Sequence, residues 1–84
     1  MVNAGLRNYI NEDKVLSVVD FTDTKSQPVK RAITEGKKIG LVIDVTQGRP
    51  TNSVVFMEGG YIILSNISGP TMTKRIEEAK KNAK

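Results

Sequence analysis

The stretch Ile39–Leu64 constrains this chain most: an apolar run, a tight Gly48-Arg49-Pro50-Thr51 turn, then two β-rich runs. Ile39, Leu41, Ile43 and Val45 alternate with Gly40, Val42, Asp44 and Thr46, which predicts a strand over 39–46. Ser53–Met57 and Tyr61–Ser65 flank Glu58-Gly59-Gly60, the signature of a hairpin. Gly48 tolerates positive φ, and Pro50 biases Arg49 toward extended geometry. The turn therefore presents one fixed cation at the tip of a sheet. A guanidinium held this way suits reading an anion such as a phosphate, and Thr46 and Thr51 add hydroxyls that can bond turn amides or a phosphate oxygen. The plainer reading is a solvated arginine in an ordinary turn.

Upstream, Lys14–Val19 predicts a strand buried on both sides, with Val15, Ser17 and Val19 on one face and Leu16 and Val18 on the other. Leu6–Ile10 predicts a short first strand. A helix is expected from about Pro28, capped by Ser26, with Val29, Ala32 and Ile33 inward, Lys30 and Arg31 outward, and Gly36 ending it. A last helix follows Ser68-Gly69-Pro70-Thr71, its Met72, Ile76, Ala79 and Ala83 on one side. The resulting order is roughly ββαβββα: one small α+β domain over residues 1–84, an antiparallel-rich sheet with two helices, and a frayed basic tail over about 80–84.

The 84 residues contain no histidine, cysteine or tryptophan. The usual general base, thiol nucleophile and zinc ligands are thus missing. Asp44, the one acid inside a β-rich run, has no partner acid and either bonds the turn amides or pairs with a basic residue. The reading is a binding protein rather than an enzyme, with no cofactor, metal or evident small-molecule ligand. No apolar stretch approaches the roughly 20 residues of a membrane span. With no secretion signal in view, the expected location is the cytoplasm. A core this small, without disulfides, gains most from burying further area in an oligomer.

Net charge is +4, and its excess sits in the middle and at the end of the chain. Lys25, Lys30, Arg31, Lys37, Lys38 and Arg49 face only Glu35 and Asp44 over residues 24–52. That pattern points to a polyanion. Only Tyr9, Phe21, Phe56 and Tyr61 are aromatic, too few for the stacking platform of single-strand binders, so duplex DNA is favoured over RNA.

Ile43-Asp44-Val45-Thr46-Gln47-Gly48-Arg49-Pro50-Thr51, with Val54-Val55 and Ile63-Leu64-Ser65 after it, resembles the RemA-like family of small bacterial regulators of extracellular-matrix genes. Ser26-Gln27-Pro28-Val29-Lys30-Arg31-Ala32-Ile33 and Asn8-Tyr9-Ile10 extend the likeness upstream, and Thr71 and Arg75 downstream. The resemblance implies a DNA-binding transcriptional activator that assembles into homo-oligomeric rings. It places DNA contacts on Gly48 and Arg49, on Lys14, and on Lys30 and Arg31; the Thr51 hydroxyl beside the turn joins them as a candidate contact on its chemistry alone. Two positions depart from the family: Pro50 stands where its regulators carry a second arginine, and Lys14 replaces an arginine and its bidentate fork. Lys30 and Arg31 have a second reading as subunit contacts, which corresponds to a structural ring without DNA binding.

Overall fold

The computed structural model describes residues 1–22 and 27–82. The expected helix cap Ser26, Lys25, and Ala83 and Lys84 of the tail lie outside the described residues. Six strands and two helices follow in order: β1 (Val2–Gly5), β2 (Asn8–Ile10), β3 (Val15–Asp20), α1 (Gln27–Lys38), β4 (Val42–Asp44), β5 (Ser53–Met57), β6 (Ile62–Ser65) and α2 (Gly69–Asn82). The α+β class with two helices is as the sequence predicts, with one further strand at the start.

β5 and β6 form the expected antiparallel hairpin, closed by the Met57 N–H donating to the Tyr61 carbonyl at 2.8 Å. They are the centre of a four-stranded sheet of order β3-β5-β6-β4. β3 adds antiparallel to β5, and β4 adds parallel to β6. β1 and β2 pair separately as a second, two-stranded sheet.

Successive β5 residues serve two cores. Val54 and Phe56 join Val19, Val42, Ile62, Leu64 and Phe21 under Val29 and Ile33 of α1. Val55 and Met57 join Val15, Val18 and Ile63 under Met72 and Ile76 of α2, together with Val2, Ala4 and Ile10 of the β1–β2 hairpin. The central sheet is thus covered by α1 on one face and by α2 with the hairpin on the other. Two-sided burial explains why β5 and β6 read as continuous apolar runs rather than alternating ones.

Four local expectations are corrected. Leu6 and Arg7 form no strand; with φ of 51° and 67° they are the turn between β1 and β2. In β3 the register shifts between Val15 and Ser17, leaving Leu16 as an extra residue, 68% exposed. The bulge brings Val15 and Val18 into the same core, where strict alternation had separated them.

Gly36 does not end α1. It is buried inside the helix, where a Cβ would come within 2.9 Å of both Ile62 Cδ1 and Val42 Cγ2. A glycine here lets the helix lie close on the sheet. The helix ends at Gly40 (φ 74°) in a Schellman closure: Leu41 N–H donates to the Gly36 carbonyl at 2.9 Å and Gly40 N–H to that of Lys37 at 3.3 Å. The strand expected over 39–46 is therefore shortened to Val42–Asp44, and Ile39 is left 69% exposed. Backbone bonds from Ile62 N–H to the Leu41 carbonyl and from Val45 N–H to that of Leu64 extend its pairing at both ends.

Candidate nucleic-acid interface

Arg49 lies on the connection from β4 to β5, and the turn that holds it begins earlier than the Gly48–Thr51 span the sequence suggests. Arg49 N–H donates to the Thr46 carbonyl at 3.1 Å, closing a turn over Thr46–Arg49. Its central residues Gln47 and Gly48 have φ of 51° and 87°. Positive φ at both central positions is the type I′ pattern, which glycine accepts freely and glutamine does not. Pro50 follows and restricts Arg49 to extended conformations.

The turn is anchored from below by Asp44. One carboxylate oxygen, Oδ1, accepts from the Thr46 N–H at 2.8 Å and from the Thr46 hydroxyl at 2.6 Å. These two bonds, and more weakly the charge of Lys37, hold the Asp44 carboxyl below the usual aspartate range. Thr46 is buried, so its hydroxyl serves the turn and is closed to a ligand. Of the two alternatives for Asp44, bonding within the turn is the one seen, though to Thr46 rather than to the Gly48 and Arg49 amides. The Arg49 side chain is exposed and makes no hydrogen bond or ion pair among the described residues. Gly48 is exposed and Thr51 half-buried beside it.

Lys30 and Arg31 are exposed in the N-terminal half of α1. Gly36 in its C-terminal half meets Val42 and Ile62, the first residues of β4 and β6, so the helix starts toward the end of the sheet from which the Arg49 turn projects. With Thr34, Lys37 and Lys38, also exposed, Lys30 and Arg31 form a basic outward stripe along α1. Glu35 pairs with Lys38 at 3.3 Å on the same surface, a weak exposed contact.

Lys14 is elsewhere. It precedes β3, whose first residue pairs with Met57, at the opposite end of the sheet from Asp20 and Ser53. That is a strand length of roughly 13 Å from the Arg49 end. Its ammonium sits 3.9 Å from the Glu58 carboxylate, both side chains more than half exposed. Within one protomer the expected Lys14–Arg49 surface is therefore not continuous. Arg75 is engaged internally, donating to the Asn3 carbonyl at 2.9 Å and tying α2 to β1.

Beside Lys14 lies a feature that sequence reading missed: an apolar groove of about 350 Å³ lined by Tyr9, Ile10, Asn11, Lys14, Ile43, Met57, Glu58, Tyr61 and Ile63. Tyr9, Ile43 and Tyr61 on it are 59%, 46% and 45% exposed. Leu16 and Ile39, exposed too, lie outside its lining. The residues come from β2 and the connection after it, β4 and the β5–β6 hairpin, and no local pattern joins them. Among the described residues no acidic cluster could hold a metal ion, and no helix is long and apolar enough to cross a membrane.

Residues 1–76 match the family model described as extracellular matrix regulatory protein A-like. A protein of Natranaerobius thermophilus is 34% identical over 76 residues, covering 90% of this chain and 82% of the relative. One from Cyanothece sp. is 36% identical over 75 residues, covering 89% and 79%. One from Bacillus pumilus is 34% identical over 76 residues, covering 90% and 82%. Each carries the name "Putative regulatory protein". The family match, spanning both cores and the Arg49 turn, and these relatives of nearly the same length lead to one assignment: the chain belongs to the RemA-like family.

Proposed function

We propose that this protein is a cytoplasmic, homo-oligomeric transcriptional regulator that binds duplex DNA, with Arg49 as its principal contact. The observation that carries the reading is an exposed guanidinium, unengaged among the described residues, on a turn whose backbone is pinned on both sides. Arg75 is tied to the Asn3 carbonyl. Arg49 is instead presented, and the basic stripe of α1 extends the field toward a polyanion.

One protomer offers only a few phosphate contacts, which gives weak and salt-sensitive binding. Repetition in an assembly multiplies them, raising avidity by a factor of about 10² to 10⁴. The apolar groove supports self-association: Leu16 and Ile39, exposed outside it, are of the size and polarity to fill such a groove on a second copy. A head-to-tail contact of that kind closes into a ring when its rotation permits.

The test is fluorescence anisotropy with a duplex across a salt series, with light scattering on the same samples. Wild type should bind with log affinity falling linearly in log salt. Arg49→Ala should weaken binding about tenfold or more and flatten the slope by about one for each protomer engaged, at unchanged mass. Unaltered binding by the variant removes Arg49 from the interface. Absence of wild-type binding at low salt, from an intact oligomer, supports the structural ring instead. In that case Arg31→Glu should lower the scattered mass.

A further inference from the structure

We propose that Asp44 is the positioning residue of the Arg49 contact, its carboxylate building the turn that aims the guanidinium; the inference rests on the DNA-binding reading above. An exposed carboxylate beside a surface meant for a polyanion is electrostatically adverse, so its presence asks for a structural reason. The hydrogen bonds supply one. Val45 N–H is tied to Leu64, which fixes the chain immediately after Asp44 to the sheet. Asp44 Oδ1 then captures both the amide and the hydroxyl of Thr46. The Thr46 carbonyl, held by those bonds, accepts the Arg49 N–H.

Gln47 lies between, in a left-handed conformation (φ 51°) that its side chain disfavours. A Cβ added at Gly48 next to it would meet nothing within 4 Å, so packing on that side of the glycine does not hold the loop in place. The turn is thus held through hydrogen bonds relayed from Asp44 to Thr46 to Arg49, and the bond that starts the relay belongs to a residue that never touches the ligand. An aspartate two residues ahead of the amide it accepts from is the Asx-turn geometry, in which the side chain stands in for backbone.

Positioning and charge act in opposite directions on binding, which makes the role measurable. If Asp44 were only a negative charge near DNA, removing it would tighten binding. If it builds the turn, removing it weakens binding. Asp44→Asn discriminates further, because the amide oxygen can still accept from Thr46 while the charge is gone.

The experiment uses the full chain and a duplex of 20–30 base pairs, with wild type, Arg49→Ala, Asp44→Ala, Asp44→Asn and the Asp44→Ala/Arg49→Ala double variant. Amide hydrogen exchange at Arg49 is read in the absence of DNA. Asp44→Ala should weaken binding about fivefold to tenfold and accelerate exchange of the Arg49 amide about tenfold or more, since its bond to Thr46 no longer persists. Asp44→Asn should bind at least as tightly as wild type and keep the amide protected. In the Arg49→Ala background, Asp44→Ala should cost nothing further. Binding by Asp44→Ala equal to or tighter than wild type would overturn the proposal, as would an unchanged Arg49 amide or an undiminished loss in the double variant. Because the exchange readout needs no DNA, failure of wild type to bind would sink the DNA reading while leaving the turn's construction to be judged by itself. Should Asp44→Ala melt early, Asp44→Asn carries the comparison of charge with geometry.

Discussion

Replacing Gly69 with alanine should lower the melting temperature by about 10–20 °C, the cost of about 2–3 kcal/mol of overpacking in a domain of this size. Gly69 opens α2 and is buried where the end of β3 crosses it. A Cβ there would stand 2.6 Å from Asp20 Cβ and 2.7 Å from Asp20 Cα. The second neighbour is backbone, so no side-chain rotation relieves the clash. Either the start of α2 or the end of β3 must move. Gly48→Ala is the control: its φ of 87° disfavours a side chain, but nothing lies within 4 Å of the added carbon. Its cost should stay near 1 kcal/mol, the price of a left-handed residue alone. Comparable melting temperatures for the two variants would show that the β3–α2 crossing is pliable.

The same crossing makes stability depend on acid. Asp20 accepts from the Thr22 hydroxyl at 2.8 Å and from the Thr22 amide at 3.2 Å. Those bonds hold its carboxyl below the ordinary value of 3.8. Glu12, paired with the Met1 ammonium at 2.8 Å, and Asp44 are lowered as well. A depressed carboxyl pKa contributes stability that is fully present above the unfolded value and lost as pH falls through the folded one. Denaturant midpoints should therefore be flat near neutrality and fall below about pH 4.

Met72→Ala should cost about 3 kcal/mol, with the larger part of the effect felt by the β1–β2 hairpin. Met72 is fully buried where α2, the sheet and Val2, Ala4 and Ile10 meet. A two-stranded hairpin is marginal by itself in water. This one is held by that shared core, by Arg75 on Asn3 and by the Ser65 hydroxyl on the Ala4 carbonyl. Hydrogen exchange should accelerate at β1 and β2 amides well beyond those of β5 and β6. Met72→Leu, of similar volume, should cost under about 1.5 kcal/mol. Uniform acceleration across all strands would mean the hairpin and the sheet unfold as one unit.

What the sequence made legible was local. The β5–β6 hairpin announces itself by two β-rich runs around a glycine pair, and α1 by Pro28 with an i, i+3, i+4 stripe. The β1–β2 hairpin stayed hidden because Leu6 and Arg7 occupy positive-φ positions that glycine or asparagine normally advertise. Gly36 looked like a helix end because the close approach to Ile62 that requires it involves a strand distant in sequence. The end of the helix fell to Gly40, which alternation had assigned to a strand. At the candidate site, the chemistry of Arg49 could be read from its neighbours. The separation of Lys14 from Arg49 could not, since it follows from β3 pairing with β5 across the whole intervening helix. The groove around Ile43 and Tyr61 depends likewise on β4 joining β6 in parallel.

The position of the β5–β6 hairpin at the sheet's centre governs how the chain acquires its shape during synthesis. Among the described residues, β3 and β4 each pair in the central sheet with a segment made after them, at Ser53–Met57 and Ile62–Leu64. A hairpin closes in about 1–10 μs, whereas translation adds about 5–20 residues each second. β3 and β4 thus leave the ribosome unpaired and wait seconds for the template that organises them. A nascent chain arrested before Ser53 has neither template strand, and exposes Val15–Val19 and Val42–Val45 to any other chain nearby.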